Sequence, residues 1–454
     1  MSKKTGAIVS VLVVLPLLCL PRLLAGDFPS HVYNAWLANQ IHRGELPGLA
    51  ISWQTSNIAA DVLLAALLRI SNVYIAEHLV GALTVLVLFW GSYRFIRALS
   101  GRDPLWLAPL IAVLTYGFVF QMGLLNFCLS LGFCFFLFAQ GLKEPKDWVA
   151  MVCLAALAWV SHPLPLLWLA GSLAFYGIAA WCNALYRALV LALAVLFLGV
   201  MNHLMVTHLL AGWQPHGWME ISGAAQLEIF GKGYHRLALF YVALTAVLLG
   251  VVLFTRREQR MQLVLCFFLL QAAAVFLLPY QALVPGSPAS FDLITARFSL
   301  ISGVALLALL NFARSTSPAR MAIGALTAAY FVLLIADTRS LDALSTNLDA
   351  TVRTLPAGAR VLMGNVKPPH DGAVPVHFML ERSCIGHCYA YANFEPSTGH
   401  FRVRAIAPNP YVIPDNSMVA ELNSGKHVLR EFEEPLYLVQ ACTNDPEKFC
   451  VSTY

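Results

Sequence analysis

The chain reads as an α-helical polytopic membrane protein of about eleven transmembrane helices, followed by a small C-terminal α/β domain outside the membrane. Three observations predict this. Hydrophobic residues make up 59% of the 454 positions and charged residues only 12%, where a soluble domain carries about 25% charged. Apolar runs of roughly 17–25 residues, the length that crosses a bilayer, recur along the chain. From residue 338 onward the composition turns to charged residues, turns, short strand-like runs and four cysteines.

The apolar runs are 7–24, 73–93, 105–120, 124–141, 148–162, 165–182, 188–210, 237–255, 261–279, 298–312 and 321–337. The first follows Lys3-Lys4 as a signal peptide would, but no small-x-small cleavage site follows it, so it reads as a retained span. Orientation follows from where the cations fall. With a cytoplasmic N-terminus, the inner side holds Lys3, Lys4, Arg94, Arg97, Arg102, Lys143, Lys146, Arg187, Arg256, Arg257, Arg260, Arg314 and Arg320. The outer side holds only Arg22, Arg43, Arg69, Lys232, Arg236 and Arg297 before the tail. An odd number of spans then places the tail outside. The net charge of +5 is dispersed between spans, and no basic cluster with interleaved aromatics occurs, so nucleic acid is not an expected partner.

The long connections lie on the outer side, at 25–72, 211–236 and 280–297. In the first, Ser30 after Pro29 is expected to cap a helix from His31 to Gln40. A second helix, Asn57 to Ile70, is apolar enough to lie flat on the membrane. The tail, 338–454, reads as α/β, with Arg360–Met363 and Leu436–Val439 as strands and a turn at Pro356-Ala357-Gly358. Cys384, Cys388, Cys442 and Cys450 all fall there and suggest disulfides if the tail is extracytoplasmic. A zinc site at Cys384-x-x-His387-Cys388 is the weaker alternative. Cys19, Cys128, Cys134, Cys153, Cys182 and Cys266 lie in or beside apolar runs and read as small core hydrophobes.

The chemistry-bearing residues gather at the outer face. Asp27 and His31, in Gly26-Asp27-Phe28-Pro29-Ser30-His31, stand where the first span meets water. Ionisable groups at that depth mark a site by default; the plainer alternative is Asp27 as a cap with His31 exposed. His162, in His162-Pro163-Leu164-Pro165, either faces interfacial water or binds substrate. The second outer loop and the span end before it offer His203, His208, His216, Glu220, Glu228, Lys232, His235 and Arg236, with Trp213 and Trp218 as belt residues or a sugar-stacking surface. Arg297 suits phosphate because its guanidinium stays charged and offers two parallel donors; snorkelling or pairing with Asp292 is the alternative. Asn126, Tyr280 and Gln281 are further polar residues near the same face.

This arrangement resembles the GT-C superfamily of integral membrane glycosyltransferases. The likeness lies in a cytoplasmic N-terminus, an Asp-containing outer loop after the first span, about eleven spans and an extracytoplasmic C-terminal domain. The string Gly26-Asp27-Phe28-Pro29-Ser30-His31-Val32-Tyr33, continuing to Arg43-Gly44-Glu45-Leu46-Pro47, looks like the first-loop region of bacterial members. The resemblance implies transfer of a sugar from a polyprenyl-phosphate donor to an acceptor at the outer face of a bacterial cytoplasmic (inner) membrane. Asp27 matches the catalytic-loop aspartate, as base or acceptor-orienting residue, with His31 beside it. Glu220 or Glu228 stands for a second acidic residue. Arg297 would hold donor phosphate, with Lys232, Arg236, His162, His216 and Tyr280 as further substrate contacts. No Asp-x-Asp or Glu-x-Asp pair occurs in the outer loops, so the expected reaction needs no metal cofactor.

Two other readings remain. A transporter needs ionisable groups inside its spans, and Leu189 to Val200 and Leu237 to Leu253 carry none but Tyr241. A non-catalytic accessory protein of envelope polysaccharide assembly predicts that Asp27 and Arg297 are dispensable.

Overall fold

A computed structural model of the protein describes residues 2–142, 147–213, 217–255, 258–285, 290–364, 366, 378–398, 401–413, 415, 418, 421 and 435–454. His216, Lys143, Lys146, Arg256 and Arg257 lie outside the described residues. The chain is mostly helical, 69% of it, and each apolar run of the sequence overlaps a helix. Among the described residues, six helices are long and apolar enough to cross a membrane: Val73–Ser100, Pro163–Trp181, Ala184–His208, Gly231–Phe254, Gln259–Leu277 and Ser317–Val352. Shorter apolar helical stretches cover Leu105–Gln121, Leu125–Gly141, Trp148–Ser161 and Ile294–Leu310. The helix from Ser317 runs 36 residues to Val352, past the point where the sequence pattern changes.

The chain divides into two compact units. The first comprises Met1–Pro16, Leu83–Gln121 and Asn126–Leu334. Its core is aromatic: Phe95 packs on Phe135 with centroids 4.6 Å apart, and Phe138, Trp168 and Phe267 extend the cluster. The Trp168 indole N–H donates to Gln271 Oε1 at 2.8 Å, so a buried polar edge inside this core is satisfied. Small residues let backbones approach: a Cβ on Gly91 would lie 2.4 Å from the carbonyl oxygen of Gly132, the close packing that helices use in lipid. By contrast, no residue in the apolar window of Ala184–His208 is buried, as suits a helix with much of its surface towards lipid. The expected loop 211–236 is shorter than the sequence suggests. It contains the helix Trp218–Ser222 and a 3-10 turn, and the next helix already starts at Gly231.

The second unit comprises Leu17–Ala82, Met122–Leu125 and Ile335–Tyr454. A four-stranded sheet holds, in spatial order, Tyr389–Ala390, Arg360–Met363, Leu436–Cys442 and Asp445–Thr453. Arg360–Met363 lies parallel to both neighbours, and the last two strands form an antiparallel hairpin. Leu362, Tyr391, Ile413 and Leu436 make its buried core. Arg360–Met363 and the start of Leu436–Cys442 are the two expected strands, and they pair directly. Disulfides join Cys384 to Cys388 and Cys442 to Cys450. With both thiols of the Cys384-x-x-His387-Cys388 string committed to that bond, the zinc alternative falls, and His387 instead contacts the carbonyl of Leu355 at 2.9 Å.

Early and late parts of the sequence meet inside this unit. Arg22 bridges Asp342 at 2.5 Å and Asp349 at 2.8 Å, two acids about two turns apart on one face of the long helix. Strand Leu49–Ile51 pairs antiparallel with Val403–Ala405. The first-loop helix runs Phe28–His42 rather than starting after Ser30; Asp27 holds the cap position and Pro29 falls in the first turn. Proline is well placed there, because its missing N–H would have had no helical partner. The second loop helix is Ala59–Leu67, and its Asp61 is buried, so the helix has an inward polar contact as well as an apolar face.

Candidate functional site

Asp27 is placed by a close approach of backbones. Gly26 adopts φ +31°, and a Cβ there would lie 2.2 Å from the carbonyl oxygen of Met122. Gly123 adopts φ +79°, and its Cβ would lie 2.6 Å from the amides of Asp27 and Phe28. Only glycine fits at both points. The Asp27 N–H donates to Met122 O at 3.2 Å across this contact. One helical turn on, the His31 N–H donates to Asp27 O at 3.1 Å, so both residues stand on one face at the helix start.

Three more carboxyls converge on that turn. His31 Nδ1 lies 2.7 Å from Asp61 Oδ1 and 3.8 Å from Glu395 Oε1. Glu381 is 6% exposed, and its Oε2 has no hydrogen-bond partner among the described residues. The next residue, Arg382, cannot neutralise it. Its guanidinium is held in two parallel bonds, 3.0 and 3.1 Å, by the fully buried carboxylate of Glu77. Paired amides secure the segment that carries Glu395: Asn393 Nδ2 donates to Asn34 Oδ1 at 2.8 Å, and the Ala390 N–H donates to the Tyr33 hydroxyl at 3.0 Å. Asp27 and His31 are the partly exposed members; Asp61, Glu381 and Glu395 are buried.

Four carboxyls around one imidazole cannot all be ionised away from water without compensation. Burial works against a charge on His31, but Asp61, Glu395 and Asp27 outweigh it and push the imidazole up to about 10. Burial raises Glu381 to about 8; Asp27 adds to that, while Ser30 and His31 oppose it. Burial likewise raises Glu395, and Asp61, Glu381 and Asp27 push it further against the pull of His31. The group therefore favours an imidazolium, held by Asp61, beside carboxyls whose burial favours their protonated forms. It can take or give a proton near physiological pH. The same donors could hold a divalent cation, since His31, Asp61 and Glu395 place one ligand atom each within 4.8 Å of one another. One imidazole nitrogen with carboxylate oxygens suits manganese or zinc, and such an ion would have to displace the protons described.

His31 is thus not the exposed residue of the plainer sequence alternative. The other candidates lie in the first unit. His162 and Arg297 come together: Arg297 Nη1 is 3.4 Å from His162 Nε2, and its guanidinium lies 5.2 Å over the Phe127 ring. His162 also caps the helix Pro163–Trp181, with Nδ1 accepting from the Leu164 N–H at 3.2 Å. The Glu220 carboxylate accepts from the Gly217 N–H at 2.8 Å, which closes the first turn of Trp218–Ser222. Glu228 meets His235 at the surface. Lys232 and Arg236 are exposed near the start of Gly231–Thr255. The backbone of Tyr280 bonds Gly212 and Ile294.

Sequence reading missed Asp61, Glu381 and Glu395. Asp61 carried a signal, as the sole acid in an otherwise apolar helix. Glu381 and Glu395 carried none, because they lie some 350 residues from His31 and look like ordinary tail acids. No protein-family model, no curated protein and no solved structure matches this chain.

Proposed function

We propose that the protein is a membrane glycosyltransferase of the GT-C kind, using a polyprenyl-phosphate sugar as donor, with the cluster around His31 as its reaction centre. One observation carries the reading: Asp27 and His31, accessible and one turn apart, are backed by the buried carboxyls of Asp61, Glu381 and Glu395. Such a concentration of proton-binding groups in an apolar chain is the mark of a functional site.

In this reading the Asp27 carboxylate takes the proton of the acceptor hydroxyl as its oxygen bonds to the anomeric carbon. The bond from that carbon to the phosphate oxygen breaks, and its electron pair leaves with the polyprenyl phosphate. The His31 imidazolium supplies positive charge in the cluster, and the leaving phosphate is where negative charge develops. Asp61 keeps the ring oriented. Burial favours protonated Glu381 and Glu395, which limits the cluster's negative charge, and the proposed reaction uses no metal. The proposal includes a bacterial cytoplasmic membrane, a cytoplasmic N-terminus, about eleven crossings and an external tail.

The test is release of polyprenyl phosphate from polyprenyl-phosphate sugars by the purified protein in nanodiscs. Asp27→Asn should lower the rate roughly 100- to 10,000-fold, and a chelator should leave the wild-type rate unchanged. Equal rates for wild type and Asp27→Asn would favour the accessory reading. Arg297→Ala is assayed on its own, for the expected part of Arg297 in holding donor phosphate.

A further inference from the structure

A second site lies in the first unit, away from the residues of the carboxyl cluster in sequence. A cavity of about 600 Å³ opens among the ends of several helices and is lined by Arg94, Arg97, Asp147 and Arg260. That volume is in the range of small-ligand sites. Arg94 and Arg97 are three apart on the helix Val73–Ser100 and so share a face. Both are exposed, and among the described residues neither makes an ion pair or side-chain hydrogen bond. Arg102 differs: it is paired with Glu258 at 2.6 Å and does not line the cavity.

Arg260 is fixed in place. Its guanidinium donates to the carbonyls of Leu99 at 2.8 Å and Ala98 at 2.6 Å, capping the end of Val73–Ser100. Gly101 fits beneath it, where a Cβ would lie 2.7 Å from Nη1. The one carboxylate in the wall among the described residues is already engaged, since Asp147 accepts from the Ala150 N–H at 3.0 Å as a helix cap. Among the described residues the wall therefore presents three guanidiniums against one carboxylate, with Asp103 acting on Arg97 from outside it.

The rest of the wall is mostly apolar, with Phe136, Leu142 and Leu154 beside the polar Gln140 and Tyr176. Leu154 belongs to Trp148–Ser161, whose Val149, Val152 and Leu157 are 51%, 59% and 49% exposed. An apolar helix so exposed faces acyl chains. A ligand here must combine an anionic head with an apolar body. The positive-inside reading puts all three arginines on the cytoplasmic side, where basic pockets between membrane helices take anionic headgroups.

We propose that this cavity binds the phosphate headgroup of an anionic glycerophospholipid, with Arg94, Arg97 and Arg260 as its ligands. The proposal does not depend on the reaction assigned to Asp27. The test uses the full chain in nanodiscs of phosphatidylcholine containing a minor share of phosphatidylglycerol, with retained lipid read by native mass spectrometry. Wild type should retain phosphatidylglycerol in preference to phosphatidylcholine. Arg94→Gln with Arg97→Gln should lower that preference roughly tenfold or more. Arg314→Gln with Arg320→Gln, outside the cavity, should leave it intact.

Equal retention of both lipids would overturn the proposal. So would an equal loss in the Arg314 and Arg320 control, which would mean diffuse surface charge. Displacement of the lipid by glycerol phosphate at matching concentration would overturn it too, as a site for free anions. Should the double variant fail to fold, Arg94→Gln alone, at an exposed position, reads the same preference.

Discussion

At the scale of residues, the cluster's proton balance makes a prediction with a definite sign. His31, Glu381 and Glu395 all bind protons more tightly in the folded chain than their ordinary values allow. A group whose affinity is raised by folding adds stability below its unfolded value and loses it as pH rises through its folded one. For Glu381 that loss runs from 4.5 to about 8, and for His31 from 6.5 to about 10. The unfolding midpoint of the purified protein should therefore fall steadily as pH rises through this window. Glu381→Gln, always neutral, should make the lower part shallower and leave the parts due to Glu395 and His31. A midpoint that climbs with pH would sink this account. Glu77 makes a second case. Glu77→Gln leaves Arg382 buried without its carboxylate, a loss of about 3–5 kcal/mol, measurable by denaturant titration. A loss under about 1 kcal/mol would mean that water reaches the pair.

At the scale of elements, the helices were legible in sequence because apolar length is a local property. Their starts were not. The helix beginning at Phe28 was expected after Ser30, since Ser30 is a good cap by type and Pro29 looks like a break. What moved the start is a non-local contact, the Gly26 and Gly123 backbones fitting against Met122 and Asp27. That contact sets where Asp27 stands, so Gly123→Ala should disturb the site without touching any ionisable group. It combines overpacking with a positive φ, together about 2–4 kcal/mol. Gly44→Ala is the proper comparison. Gly44 also has a positive φ, +77°, but nothing lies within 4 Å of its Cβ position, so it should lose only about 1 kcal/mol. Equal losses in the two variants would mean that backbone strain alone, and not close approach, fixes the turn. The four-residue strand Arg360–Met363 shows the converse: its β-rich pattern was readable, and its parallel pairing with Leu436–Cys442 was not.

At the scale of the whole molecule, the side on which the tail lies turns on parity. Among the described residues six helices have the length and apolarity to cross a membrane, and the shorter apolar stretches decide whether the number of crossings is odd or even. Counting alone cannot choose, because a stretch such as Trp148–Ser161 can cross only where the bilayer thins or flanking residues reach the interface. The disulfides supply an argument independent of the count. Cys384 with Cys388 and Cys442 with Cys450 are bonded in the second unit, while Cys128 and Cys134, buried in the first, are free thiols. Bonds of this kind persist in oxidising compartments and are rare in the cytoplasm of mesophiles. With the N-terminus inside by the distribution of Lys and Arg, the tail should be outside and the crossings odd in number. Alkaline phosphatase, active only outside the cytoplasm, should be active when fused after Tyr454 and inactive when fused after Arg314. Activity at Arg314 and silence at Tyr454 would reverse the orientation. Silence at both would make the count even, and the tail cysteines would then be reduced in cells.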